Sequence, residues 1–126
     1  MPDRQYRLEV TVQPRYLPDQ SDPGAGQYAF AYTVRITNAG TVPAQLISRH
    51  WVITDGNGKV VEVKGLGVVG HQPLLAPGQS FEYTSGSQLA TPAGSMHGSY
   101  FCVAEDGERF EAPIPAFALS MPRTLH

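Results

Sequence analysis

Apolar side chains recur at every second position along much of the chain, the period of a strand with one buried face. Leu8, Val10 and Val12 alternate with Arg7, Glu9 and Thr11, predicting a strand over residues 6–13. A loop rich in Pro, Asp, Ser and Gly follows over 17–26. Tyr28, Phe30, Tyr32, Val34 and Ile36 then hold strict alternation, predicting a central strand over 27–38 that ends at the turn Asn38-Ala39-Gly40. Residues 44–55 and 60–63 flank Asp55-Gly56-Asn57-Gly58 and should pair antiparallel across it. A proline-bracketed connection, Pro73 to Gly78, leads into a strand over 81–89. Two more, over 95–105 and 110–117, flank Asp106-Gly107, and residues 121–126 form a frayed polar tail.

Glycine (13) and proline (11) recur so often that few windows could hold an uninterrupted helix of ordinary length. Seven short antiparallel strands without a helix need a second layer to cover each apolar face. The pattern therefore predicts an all-β, two-sheet β-sandwich. With 126 residues, no internal repeat and no shift in composition, residues 1–126 are expected to form one domain.

Charge and cysteine content narrow the partners. A formal charge of -2 provides no excess of Lys and Arg to attract phosphate backbones or anionic lipid, so nucleic acid is not expected. No apolar run is long enough to cross a bilayer as a helix, and MPDRQYRLEV lacks the apolar stretch of a secretory leader. The expectation is a cytoplasmic protein. The lone Cys102 lies in the β-forming run Tyr100-Phe101-Cys102-Val103 and reads as a small buried hydrophobe rather than a reactive thiol.

The sharpest chemical motif is Gly65-Leu66-Gly67-Val68-Val69-Gly70, which fits the GxGxxG pattern of dinucleotide-binding folds. That mechanism needs a helix opening at the motif and a carboxylate about 20 residues on. Here Pro73 and Pro77 follow at once, and residues 85–89 carry no acid. The glycines then have two other readings: backbone conformations closed to other residues, or exposed amides that form an anion or partner site with Lys64 and His71. His50, His71 and His97 could supply imidazoles to a metal, with Asp55 and Glu62 as oxygen donors, but no HxH or HxxxH spacing joins them. No GxSxG elbow or paired carboxylates accompany the serines, so no catalytic residues and no cofactor are expected.

Residues 49–55 (RHWVITD) and 63–73 (VKGLGVVGHQP) resemble the ApaG family of small bacterial proteins. Pro77-Gly78, residues 81–86 (FEYTSG), Thr91-Pro92, Gly98-Ser99-Tyr100 and residues 114–117 (IPAF) continue the likeness over nearly the whole chain. The resemblance implies a fibronectin type III-like or immunoglobulin-like sandwich. It also implies a protein-interaction role, because similar domains occur inside larger eukaryotic proteins such as F-box proteins. The family is linked by name to cobalt resistance and magnesium efflux, which describes a cellular role and no bound ion.

The leading expectation is a non-enzymatic module that binds a protein partner through Arg49, His50, Trp51, Lys64, Gly65, Gly67, Gly70, His71 and Gln72. Trp51 has two readings, exposed anchor or core filler. A divalent-cation-responsive regulator using His50, His71 or His97 is the alternative, and nucleotide or pyrophosphate binding at Gly65 to Gly70 is a further one. Nothing in the sequence sets the oligomeric state.

Overall fold

The computed structural model describes residues 4–122. The strict alternation after Tyr28 produces β2 (Tyr28–Asn38), the middle strand of the first sheet. It pairs antiparallel with β1 (Leu8–Tyr16) on one side and β6 (Ser80–Leu89) on the other. The second sheet runs β4 (Val60–Leu66), β3 (Ala44–Asp55), β7 (Ala93–Ala104), β8 (Arg109–Ser120), with the two-residue β5 (Leu74–Leu75) paired to the start of β3. Placing the fourth strand beside the third, rather than in the first sheet, separates this order from the immunoglobulin constant type and fits the fibronectin type III-like expectation. The loop over 17–26 contains two short 3-10 turns, Pro18–Gln20 and Pro23–Ala25.

Among the described residues eight strands stand where the alternation predicts seven, because β5 is too short to carry a period. What creates it is Asn38, a buried polar side chain. Its Nδ2 donates to the Val42 and Leu75 carbonyls at 3.0 and 2.9 Å, and its Oδ1 accepts from the Gly40 amide at 2.9 Å. Full pairing of this amide offsets the cost of burying it and draws Leu75 against the sandwich. β1 also runs to Tyr16, past the predicted end at Gln13. Pro14 stops nothing there because β1 is an edge strand, where a missing N–H leaves no ladder bond unmade.

The inward faces meet in one cluster that includes Phe30, Val34, Ile36, Leu46, Trp51, Met96, Tyr100 and Leu119. The Tyr83 and Tyr100 hydroxyls are hydrogen-bonded across the gap, tying β6 of one sheet to β7 of the other. At one side β1 lies against β8. There Arg4 and Tyr6 both bind Asp106 at 2.6 Å, fastening the start of the described chain to the β7–β8 turn. At the other end Met121 donates to the Pro92 carbonyl, while residues 123–126 of the expected tail lie outside the described part.

Candidate binding surface

Trp51 is the first residue to place, and it is not at the surface. It is 2% exposed and packs edge-on against Phe117 and Tyr100 and obliquely on Tyr32, at centroid distances of 6.0, 6.4 and 5.2 Å. This corrects its expected place on the partner surface. The cause is a bulge between Leu46 and Ser48 in the β3–β7 register, which shifts the alternation so that Trp51 turns inward. Opposite it on β7 stands Gly98, where a Cβ would collide with the His50 carbonyl; the glycine makes room for backbones pressed together beside the indole.

Turning Trp51 inward turns its neighbour outward. His50 lies on the solvent face of the second sheet, opposite Lys64 of β4, and its Nε2 is 3.0 Å from Glu62 Oε1. Around them is an open depression of about 400 Å³, lined on this outer face by Ser48, His50, Lys64, Leu66, Ser99, Phe101 and Glu111. Four of the expected residues, Arg49, His50, Lys64 and Gly65, meet at this one place. Ser99, Phe101 and Glu111 come from β7 and β8 and were missed. Phe101 carried the available signal: an aromatic residue out of phase with the buried Tyr100, Cys102 and Ala104.

Arg49 reaches the depression from the other side. Its Nη1 donates to the carbonyls of Leu66 and Gly67, both at 2.9 Å, and its guanidinium lies across Gly65. A Cβ at Gly65 would stand 2.7 Å from Arg49 Nη2, so this glycine is an opening for the arginine. Past it the chain turns back on itself. Val68 and His71 form a two-bond bridge around Val69 (φ 42°) and Gly70 (φ 82°), the two left-handed positions of a tight type I′-like hairpin. Gly67 is also left-handed at 63°, and a side chain there would collide with the His71 carbonyl.

The GxGxxG spacing thus encodes a hairpin. The amides of Gly67, Val68 and His71 are spent on the carbonyls of Ile47, His71 and Val68, and no helix opens at the motif. The helix N-terminus on which the dinucleotide mechanism depends is thus absent from this segment. Gln72 closes the loop by donating to the Ile47 carbonyl at 2.9 Å, while its own carbonyl accepts from Gln45. His71 stacks obliquely on Phe81 at 5.7 Å.

The three candidate metal ligands are therefore held apart in role: His50 beside Glu62, His71 against Phe81, and His97 opposite Val52 on β7. Among the described residues no three His, Cys, Asp or Glu side chains are grouped for a metal ion. Cys102 is fully buried, and burial pushes its thiol up to about 12, which leaves it protonated and unreactive at neutral pH. No described helix is long and apolar enough to cross a membrane.

Comparison with known proteins places this architecture. The model of the ApaG domain matches residues 18–104. The ApaG protein of Ralstonia nicotianae is 69% identical over 121 residues, 96% of this chain and 98% of that one. That of Bordetella pertussis is 66% identical over 125 residues, 99% and 95% of the two chains. A Bordetella pertussis crystal structure described as ApaA superposes with a TM-score of 0.93 at 65% identity, covering 98% of this chain and 100% of that one. An X-ray structure of a structural-genomics target gives 0.87 at 47% identity, covering 94% and 90%. The chain, with its glycine hairpin and two-sheet sandwich, belongs to the ApaG family.

Proposed function

We propose that the protein is a non-enzymatic binding module of the cytoplasm, which holds a protein partner on the outer face of its second sheet. One observation supports this above the rest: the open depression sets the apolar Leu66 and Phe101 among Lys64, His50 and Glu111. An apolar centre with a charged rim of both signs is the anatomy of a protein contact, whereas small-molecule sites are enclosed and bury most of their ligand. On this reading the family's link by name to cobalt resistance and magnesium efflux works through a protein contact and needs no ion held by this chain.

Two outward substitutions test it. Ser99→Trp fills the depression and Glu111→Lys reverses one wall, and neither residue belongs to the buried cluster. Both should abolish capture of a partner that the unaltered protein retains from native extract, with the melting temperature unchanged. Equal capture by all three proteins would overturn the proposal.

A further inference from the structure

We infer that two copies of this chain pair through β4, antiparallel across a twofold axis at Val63, joining their second sheets into one. The inference rests on the backbone of one edge, although Lys64 and Leu66 of that edge also line the depression.

Among the described residues, the two-residue β5 aside, the sheets have four edge strands, of which two carry proline and a third shows only polar or glycine positions to solvent. β1 carries Pro14 and β8 carries Pro113 and Pro115, residues without an N–H to offer a further strand. β6 reads SFEYTSGSQL, its exposed positions being Ser, Glu, Thr, Gly and Gln. β4 has neither proline nor bulge: its seven residues keep unbroken register with β3. It nonetheless exposes Val60 (57%), Val61 (46%), Val63 (37%) and Leu66 (75%). Its two charges, Glu62 and Lys64, are of opposite sign, so they repel an arbitrary strand less than they select a complementary one, and the apolar edge between them is a template for it.

Hydrogen-bond parity decides how a second β4 would fit. The β3–β4 ladder is bounded by Asp55 donating to Lys59 and Gly67 donating to Ile47, so odd-numbered residues of β4 face β3. Val60, Glu62, Lys64 and Leu66 therefore turn their amides and carbonyls to the free edge. Only registers that oppose even residues to even residues let these groups bond one another. Centring on Val63 opposes Val60 to Leu66 and Glu62 to Lys64, each twice by symmetry, and uses all four residues. Centring on Glu62 or Lys64 sets like charges face to face and leaves edge groups unpaired. The sequence VVEVKGL is thus self-complementary in one register, as an isologous interface requires. On the inner face the same register covers Val61 with Gly65 and Val63 with its own mate.

Charge reversal tests the register. In sedimentation the unaltered protein should weigh twice the 13.6 kDa chain. Glu62→Lys and Lys64→Glu should each lose on the order of tenfold in dimer affinity, since every cross-strand ion pair becomes a repulsion. Mixing the two variants should restore a dimer, because one copy then presents lysine at both positions and meets a copy that presents glutamate at both. The double variant Glu62→Lys/Lys64→Glu should dimerise alone. A monomeric unaltered protein overturns the inference, and so does a dimer indifferent to the single reversals or a mixture that stays monomeric. The monomeric result leaves the depression's partner capture to stand or fall separately.

Discussion

Strands β4 and β8 are the two edges of one sheet, yet they are built to opposite ends. β8 sends Ala112, Ile114 and Leu119 into the core, lies against β1, and faces solvent with prolines. β4 buries none of its side chains fully, and only Gly65, beneath Arg49, is partly covered. This edge contributes little to the core and exposes four large apolar side chains. Stability and presentation are thus divided between the two sides of a single sheet.

The largest test of that division is alkaline. Cys102 and Tyr83 sit on the buried side of the molecule, and burial raises both to about 12, from 9.0 and 10.0, with Tyr100 pushed up further. All three ionise more readily in the unfolded chain. The stability they lend is therefore complete below pH 9 and is lost as pH climbs toward 12. Near-UV circular dichroism should collapse over that window, with Cys102 inert to thiol reagents beneath it. A folded protein with a freely reacting thiol at neutral pH would contradict the buried side as described.

Paired truncations are the next test. Leu119→Ala, at a fully buried site in β8, should cost about 2–5 kcal/mol by urea denaturation. Val60→Ala in β4, measured at dilutions where the chain is monomeric, should stay within about 0.5 kcal/mol, as expected of an exposed position. Equal costs would erase the contrast between the edges.

The hairpin should give effects of opposite sign at neighbouring positions. Gly67→Ala forces a side chain into left-handed backbone against the His71 carbonyl and should cost about 1–3 kcal/mol. Val69→Asn should run the other way, gaining about 0.5 kcal/mol. Asparagine tolerates positive φ, and Asn-Gly is the favoured pair for such a turn. A loss of stability in Val69→Asn would show that the valine is held there by packing rather than against it.

Much of this fold was legible because local pattern and tertiary packing agree. β2 alternates without a break and is central, and β3 was bounded correctly at Ala44 and Asp55. Trp51 was not decidable, since the bulge after Leu46 changes the phase of β3 through pairing with β7, a partner some 50 residues away. The depression was half legible for the same reason. Arg49, His50, Lys64 and Gly65 share one hairpin, whereas Phe101 and Glu111 arrive through long-range sheet order. The glycine motif was legible as backbone: Pro73 and Pro77 spoke against a helix opening, and Gly67 and Gly70 take the left-handed conformations that glycine admits.

Two successive valines at the hairpin tip face opposite surroundings. Val68 is 1% exposed and seated in the core cluster, while Val69, one residue on, is 53% exposed. Such a loop behaves as a cleat: its tip is offered to solvent, but its root is sunk between the sheets. One peptide bond therefore separates a residue anchored in the packed interior from one open to solvent, and the tip has little freedom to move without its root.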